Sequence, residues 1–222
     1  MRTNFLYIAA ALPAIILALS LHEFGHAAMA TKMGDPTPRL QGRLTLNPLA
    51  HMDPLGTIFI IFTLFTGFGF GWGKPVQVNP AYYRNYRQGS ILVAIAGPAM
   101  NLAQAMFALG IGYVLFRGGM AAGGFGVKLL AVYIMINFVL MIFNLLPIPP
   151  LDGGHLVEMM VPWEKRRSFE RFSQYGMLIL LGLMVFGVLG VIINIFYAIF
   201  AFLVQLGFGP DYLNFLISGL TG

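Results

Sequence analysis

Apolar positions run through this chain in long, nearly unbroken stretches, and the few polar residues inside them are its most informative positions. The runs at 5–33, 91–116, 127–146 and 176–205 each reach the roughly 20 residues a helix needs to cross a hydrocarbon layer about 30 Å thick. The last of these, Gly176 to Gln205, exceeds one crossing, so it reads as one tilted helix or as two helices broken near Gly187 to Gly190. Segment 55–72 is shorter, rich in β-branched and aromatic residues, and ends in glycines, which predicts a re-entrant element rather than a plain span. Just before it, Arg39 to Asn47 alternates partly and is bounded by Pro36, Pro38 and Pro48, a pattern suited to a β-hairpin or to an ordinary loop.

These elements predict an all-α polytopic membrane protein of about 4–6 transmembrane helices. A small re-entrant β-hairpin or loop region over 37–72 is expected between the first two long spans, and residues 1–222 read as a single transmembrane domain. The tail 207–222, apolar but without basic residues, is expected at the membrane interface.

Composition agrees. The chain is 58% hydrophobic and only 9% charged, with a mean hydropathy of +0.79, well beyond the roughly 45–50% apolar usage of soluble domains. Its net charge of +5 carries no basic stripe interleaved with aromatics, which argues against a nucleic-acid partner. If 55–72 returns to its starting side, ten of the thirteen basic residues share one face: Lys32, Arg39, Arg43, Lys74, Arg84, Arg87, Lys165, Arg166, Arg167 and Arg171. That face is then cytoplasmic and the amino terminus extracytoplasmic, in a multi-pass protein of the cell membrane. Arg2 ahead of an apolar stretch reaching Ala18-Leu19-Ser20 has the look of a cleavable leader. The run continues to Thr31-Lys32, however, so 4–33 is expected to stay as a spanning helix.

Within that helix lies His22-Glu23-Phe24-Gly25-His26. Helical spacing brings the two histidines, four apart, onto one face with Cβ atoms about 5–6 Å apart, close enough to share a metal, and sets Glu23 beside them as a candidate base. There is no cysteine, so a zinc ion here needs histidine and carboxylate ligands. A catalytic site usually takes three protein ligands and a water, which demands a third group from elsewhere. Asp152 is the best candidate. It follows the 127–146 span in Asn144-Leu-Leu-Pro-Ile-Pro-Pro-Leu-Asp-Gly-Gly-His155, where prolines stop the helix and Gly153-Gly154 permit close backbone approach to a metal or substrate. Both this span and the first run inward, which puts Asp152 near the level of His22 and His26. A turn-forming or helix-capping acid is the plainer account of Asp152.

Together these residues resemble the site-2 proteases, intramembrane zinc metalloproteases. His22-Glu23-Phe24-Gly25-His26 is similar to the family's zinc-binding helix, and Asn144-Leu-Leu-Pro147 through Asp152-Gly153 to its second motif. Gly97-Pro98-Ala-Met-Asn101 also resembles a family element, and the stretches 42–56 and 72–80 are similar to a compact prokaryotic branch without a PDZ or nucleotide-sensing domain. The resemblance implies cleavage of transmembrane protein substrates within the lipid bilayer, with Zn2+ on His22, His26 and Asp152, Glu23 as catalytic residue, and Asn144 contacting substrate.

Such a site makes a water acidic enough to lose a proton near neutral pH, and Glu23 would take that proton and return it to the leaving amine. A substrate helix must partly unwind first, and a strand from 39–47 or the non-helical stretch 144–151 could pair with it. Asn144 reads equally as an intramembrane amide bonding a neighbouring helix, a role that Asn101, Asn137 and Asn194 fit better. Gly97-Pro98 marks a kink or a close helix contact. His51 and Asp53 could reach the zinc mouth or sit in a solvated loop, and His155 could tune the site or be a polar tip. A non-catalytic zinc protein, transporter or scaffold is the competing class, and Glu23 argues against it, because storage or transport needs no base beside an open metal position.

Overall fold

The protein is described here from a computed structural model covering residues 5–67, 69 and 71–221; position 4 of the predicted first span, and Phe68 and Phe70 of segment 55–72, lie outside the described residues. Among the described residues there are ten α-helices and no strand. These are α1 (Phe5–Met33), α2 (Thr37–Leu40), α3 (Pro54–Thr66), α4 (Tyr86–Arg117), α5 (Phe125–Asn144), α6 (Asp152–Met160), α7 (Arg166–Gln174), α8 (Gly176–Val185), α9 (Val188–Phe208) and α10 (Pro210–Thr221). Four of them, α1, α4, α5 and α9, are long and apolar enough to cross a membrane.

The centre is built from α1, α4 and α5, which pack on one another. Lipid tails are as apolar as leucine, so close packing rather than water exclusion must hold spanning helices together, and small residues allow it. Ala10, Ala11 and Ala14 of α1 are buried against Val132 of α5. Beside it, Ala108 and Leu109 of α4 join Val127 and Ile134 of α5 in a cluster with Tyr212, Phe215 and Leu216 of α10. Tyr212 is fully buried and its hydroxyl donates to the Leu109 carbonyl at 2.7 Å. The tail therefore packs on the bundle, where its aromatic face finds partners.

The predicted span 176–205 is two helices. Gly187, at φ +73°, breaks the run between α8 and α9, a backbone conformation that the β-branched and bulky neighbours on either side adopt only with strain. Of the two, α9 is the one long and apolar enough to cross a membrane, and it is almost wholly unburied within the protein.

The β-hairpin expected within 37–72 is not formed. Arg39 and Leu40 end α2, and the backbone of 41–47 is used up locally: the Arg43 N–H donates to the Pro38 carbonyl, the Thr45 carbonyl meets the His51 ring, and Asn47 caps a 3-10 turn over Pro48–His51. With prolines at 36, 38 and 48 no ladder can propagate. Segment 55–72 instead begins as α3, capped by the Asp53 carboxylate on the Gly56 N–H at 2.7 Å, and then doubles back. Trp72 stacks on Phe59 with ring centroids 5.3 Å apart, and Gly73 returns to an isolated antiparallel bridge with Met52. The excursion thus starts and finishes at one place, by a helix and an irregular return in place of a hairpin.

Replacing Tyr212 by Phe removes the hydroxyl that satisfies Leu109 while keeping the ring. It is expected to cost about 1 kcal/mol, read as a lower Tm in detergent, whereas Tyr212→Ala should cost about 3–5 kcal/mol.

Candidate metal centre

Helical spacing on α1 sets the first half of the site. His22 and His26 are both buried, and their Nε2 atoms lie 3.0 Å apart. The second half comes from the chain's turn after α5. Prolines at 147, 149 and 150 end the helix and deliver Asp152 as the first residue of α6, with Oδ2 3.2 Å from His22 Nε2 and Oδ1 3.3 Å from His26 Nε2. All three donor atoms fall within 4.8 Å of one another. The glycines beside Asp152 do not face this group. Gly153 packs on the Leu145 and Leu146 carbonyls and Gly154 on Ile148 and Pro149, so their smallness lets the turn close on itself.

The far side of each imidazole decides what the near side can do. His26 Nδ1 sits 2.7 Å from the Val93 carbonyl, which only accepts, so Nδ1 carries the proton. His22 Nδ1 lies 2.5 Å from Asn101 Oδ1, whose own Nδ2 donates to Asn137 Oδ1 at 2.9 Å and to the Ala18 carbonyl at 3.3 Å. In the neutral imidazoles the Nε2 lone pairs then turn toward each other and toward the carboxylate, whose buried Oδ2 has no hydrogen-bond donor. Three groups that can each turn a lone pair to one point form a donor set that fits a cation. Two imidazoles and a carboxylate match zinc.

Asn101 is thus an orienting partner of His22 as well as the interhelical amide its position suggested. The signal was its place in the middle of an apolar span, where a polar side chain is a functional candidate by default. Gly97 is a close helix contact of an unusual kind: a Cβ there would lie 2.3 Å from His26 Nε2 and 2.6 Å from His22 Nε2. Only a bare backbone leaves α4 room beside both Nε2 atoms.

Glu23 and Asn144 line a cavity of about 950 Å3 that opens beside the three donors. Glu23 Oε2 accepts from the Val76 N–H at 2.9 Å. Asn144 Nδ2 bonds the Leu140 carbonyl of its own helix at 2.9 Å, and bonds no neighbouring helix. Of the two stretches expected to flank a substrate, Pro150 and Leu151 reach the cavity wall, whereas 39–47 does not; its place is taken by the non-helical segment 73–78, through Gly73, Pro75, Val76 and Val78. Tyr83 also lines the wall; burial, then the charge of Asp35, pushes its hydroxyl up to about 12, so it stays a neutral donor. His51 lies away from the mouth and from solvent, fully buried with Nε2 2.9 Å from the Thr45 carbonyl, and Asp53 is the cap of α3. His155 is exposed at the cavity edge, 3.5 Å from Glu158 and bonded to none of the three donors.

Comparison with known proteins bears on this arrangement. The model of peptidase family M50 matches residues 115–187, the part that carries Asn144 and Asp152. "Putative zinc metalloprotease YwhC" of Bacillus subtilis is 40% identical over 175 residues, covering 77% of this chain and 78% of that protein. The chain belongs to peptidase family M50. Proteins named "Putative zinc metalloprotease Rip2" are 32% identical in Mycolicibacterium smegmatis and 34% in Mycobacterium tuberculosis, over 77% and 75% of this chain. The matches span 64% and 62% of those longer relatives, a little under two thirds of their length. No solved structure matches the chain. The M50 assignment covers the carboxylate half of the site through the family match and most of the chain through YwhC.

Two substitutions on α4 test the donor set. Gly97→Ala should abolish stoichiometric metal content measured by elemental analysis, while Gly110→Ala on the same helix, where a Cβ meets nothing within 4 Å, should retain it. Asn101→Leu, which frees the His22 ring, should weaken metal affinity by about 10–100-fold in chelator competition.

Proposed function

We propose that this M50 chain is a multi-pass cell-membrane zinc endopeptidase that hydrolyses peptide bonds within or beside the transmembrane segments of partner proteins, the chemistry of regulated intramembrane proteolysis. The observation that carries the reading is the convergence of His22, His26 and Asp152 inside the helical bundle, with Glu23 next to them on the wall of a cavity large enough for an unwound peptide. His22, His26 and Asp152 hold the ion. When bound, zinc supplies Lewis-acid activation of water and of the scissile carbonyl.

The rest is done by the chain. Glu23 has one carboxylate oxygen engaged by the Val76 N–H, which leaves Oε1 to accept the proton of the attacking water and return it to the leaving amine. Glu23 is the base because it is the acid adjacent to the donors that is not itself one of them. Asn144 also lines the cavity, its Nδ2 bound to the Leu140 carbonyl, with Oδ1 suited to a substrate backbone N–H. Val76 and Val78, two apart on the non-helical wall segment, offer an edge beside which a substrate strand can lie, and Pro150 and Leu151 line the same cavity. The cavity also answers the cost of these groups. Ionisable side chains within a membrane are tolerated where they face a wet space or one another.

Orientation follows from the doubled-back excursion after Asp53. The Met52–Gly73 pairing supports loops 32–54 and 73–90, with six basic residues, leaving from one side; with the four of loop 147–175 they make ten, an excess that favours a cytoplasmic face there, the amino terminus outside and the metal centre near that face.

Reconstituted with a helical membrane substrate, Glu23→Gln should keep the zinc content of wild type and lose cleavage by about 10²–10⁴-fold. Unchanged cleavage by that variant would remove Glu23 from the mechanism, and no cleavage by wild type across helical membrane substrates would favour a zinc protein without turnover.

A further inference from the structure

The geometry points to Arg43 as a positioning residue for this reaction, acting through the wall segment that holds Glu23; the inference rests on Glu23 being the base. Arg43 lies in the loop that follows α2, outside the zinc helix, and is only 5% exposed. Its guanidinium donates to three backbone carbonyls: Ala50 through Nη1, and Lys74 and Pro75 through Nη2, each of the latter at 2.8 Å. Among the described residues no carboxylate lies within ion-pair distance of it. A buried cation spent wholly on main-chain oxygens is expensive, so what those carbonyls belong to matters.

Two of them belong to the residues just before Val76, whose N–H is the donor to Glu23 Oε2. The same segment is gripped from the other side, where the Lys74 N–H donates to the His51 carbonyl at 2.8 Å while the His51 ring is held by Thr45. Residues 43–51 therefore form a clamp, with Arg43 as its charged jaw, and what the clamp sets is the position of the Val76 N–H. Without it, Lys74 and Pro75 lose their donors and the Val76 amide is free to drift. Glu23 then loses the contact that decides which oxygen faces the reacting water, and an error of about 1 Å in such a group costs about 10²-fold in rate. Arginine suits the task because its planar fork sets Nη1 on Ala50 and Nη2 on Lys74 and Pro75, a span that the single ammonium of lysine covers incompletely.

The test uses the full chain in bilayers with a helical membrane substrate and compares Arg43→Gln, Arg43→Lys, Val76→Pro and the Gln/Pro double variant, reading kcat, KM, zinc per chain and Tm. Arg43→Gln is expected to lower kcat by about 10–100-fold at wild-type zinc content, and Arg43→Lys to recover part of it. Because both changes act through one hydrogen bond, the double variant should be no slower than the slower single variant. A kcat within twofold of wild type for Arg43→Gln, or single effects that multiply in the double variant, would overturn the proposal. So would loss of zinc and Tm in both Arg43 variants, which would make Arg43 a support of the fold alone. If Arg43→Gln does not fold, Arg43→Lys and its double variant with Val76→Pro carry the same comparison. Glu23→Gln in parallel separates the two ideas: cleavage by that variant removes the base, whereas its inactivity beside an active Arg43→Gln removes Arg43 only.

Discussion

Two protons that point away from the centre set the character of this molecule. Val93 and Asn101 each take the Nδ1 proton of one histidine, which leaves both Nε2 lone pairs facing each other and the Asp152 carboxylate across about 3 Å of protein interior. In a low-dielectric surrounding such a group of acceptors repels itself, and a divalent cation converts that repulsion into binding. The partners of the imidazoles come from α4 and the carboxylate from the turn after α5, so the centre exists only while α1, α4 and α5 keep their mutual packing. Alanines on α1 and the bare backbone of Gly97 on α4 let those helices approach closely enough.

The same economy shapes the active side of the bundle. Polar groups within a membrane need partners or water, and three around the site have defined neighbours. Glu23 has the Val76 amide, Asn101 has three partners on α1 and α5, and Asn144 folds its amide onto its own helix while facing the cavity. The wall that confronts Glu23 is irregular backbone, tolerated because it borders a cavity and is clamped by Arg43 and His51 rather than by a sheet. The Glu23 carboxylate thus sits between a helix and a segment whose position is set by side chains far away in sequence.

Much of the site was legible before any coordinates. His22 and His26 at helical spacing, Glu23 between them, and Asp152 after a span of the same direction could be read together because a membrane interior makes every ionisable residue conspicuous. Asn101 was legible as an interhelical amide but not as the partner of His22, because no local pattern records which residue of α1 faces which residue of α4. The hairpin alternative for 39–47 failed for a related reason. Its partial alternation resembles strand, yet its backbone groups are taken by caps and by the buried His51 ring, and the cavity wall is lined instead from 73–78, a segment with no periodicity at all.

Hydrophobic length and helical period act along the chain, within one or two turns, and so the sequence alone determined the spanning helices, the break in the long carboxyl-terminal run as one of two alternatives, and the chemistry of the donors. Choosing between alternatives needed contacts between residues tens of positions apart. The tertiary structure decided that Gly187 breaks the run, that the tail packs by Tyr212 onto α4, that segment 55–72 returns on itself to meet Met52, and that Arg43 reaches Lys74 and Pro75. Those outcomes depend on how close two backbones come and on which carbonyls are left without donors, quantities that arise only when the helices have packed.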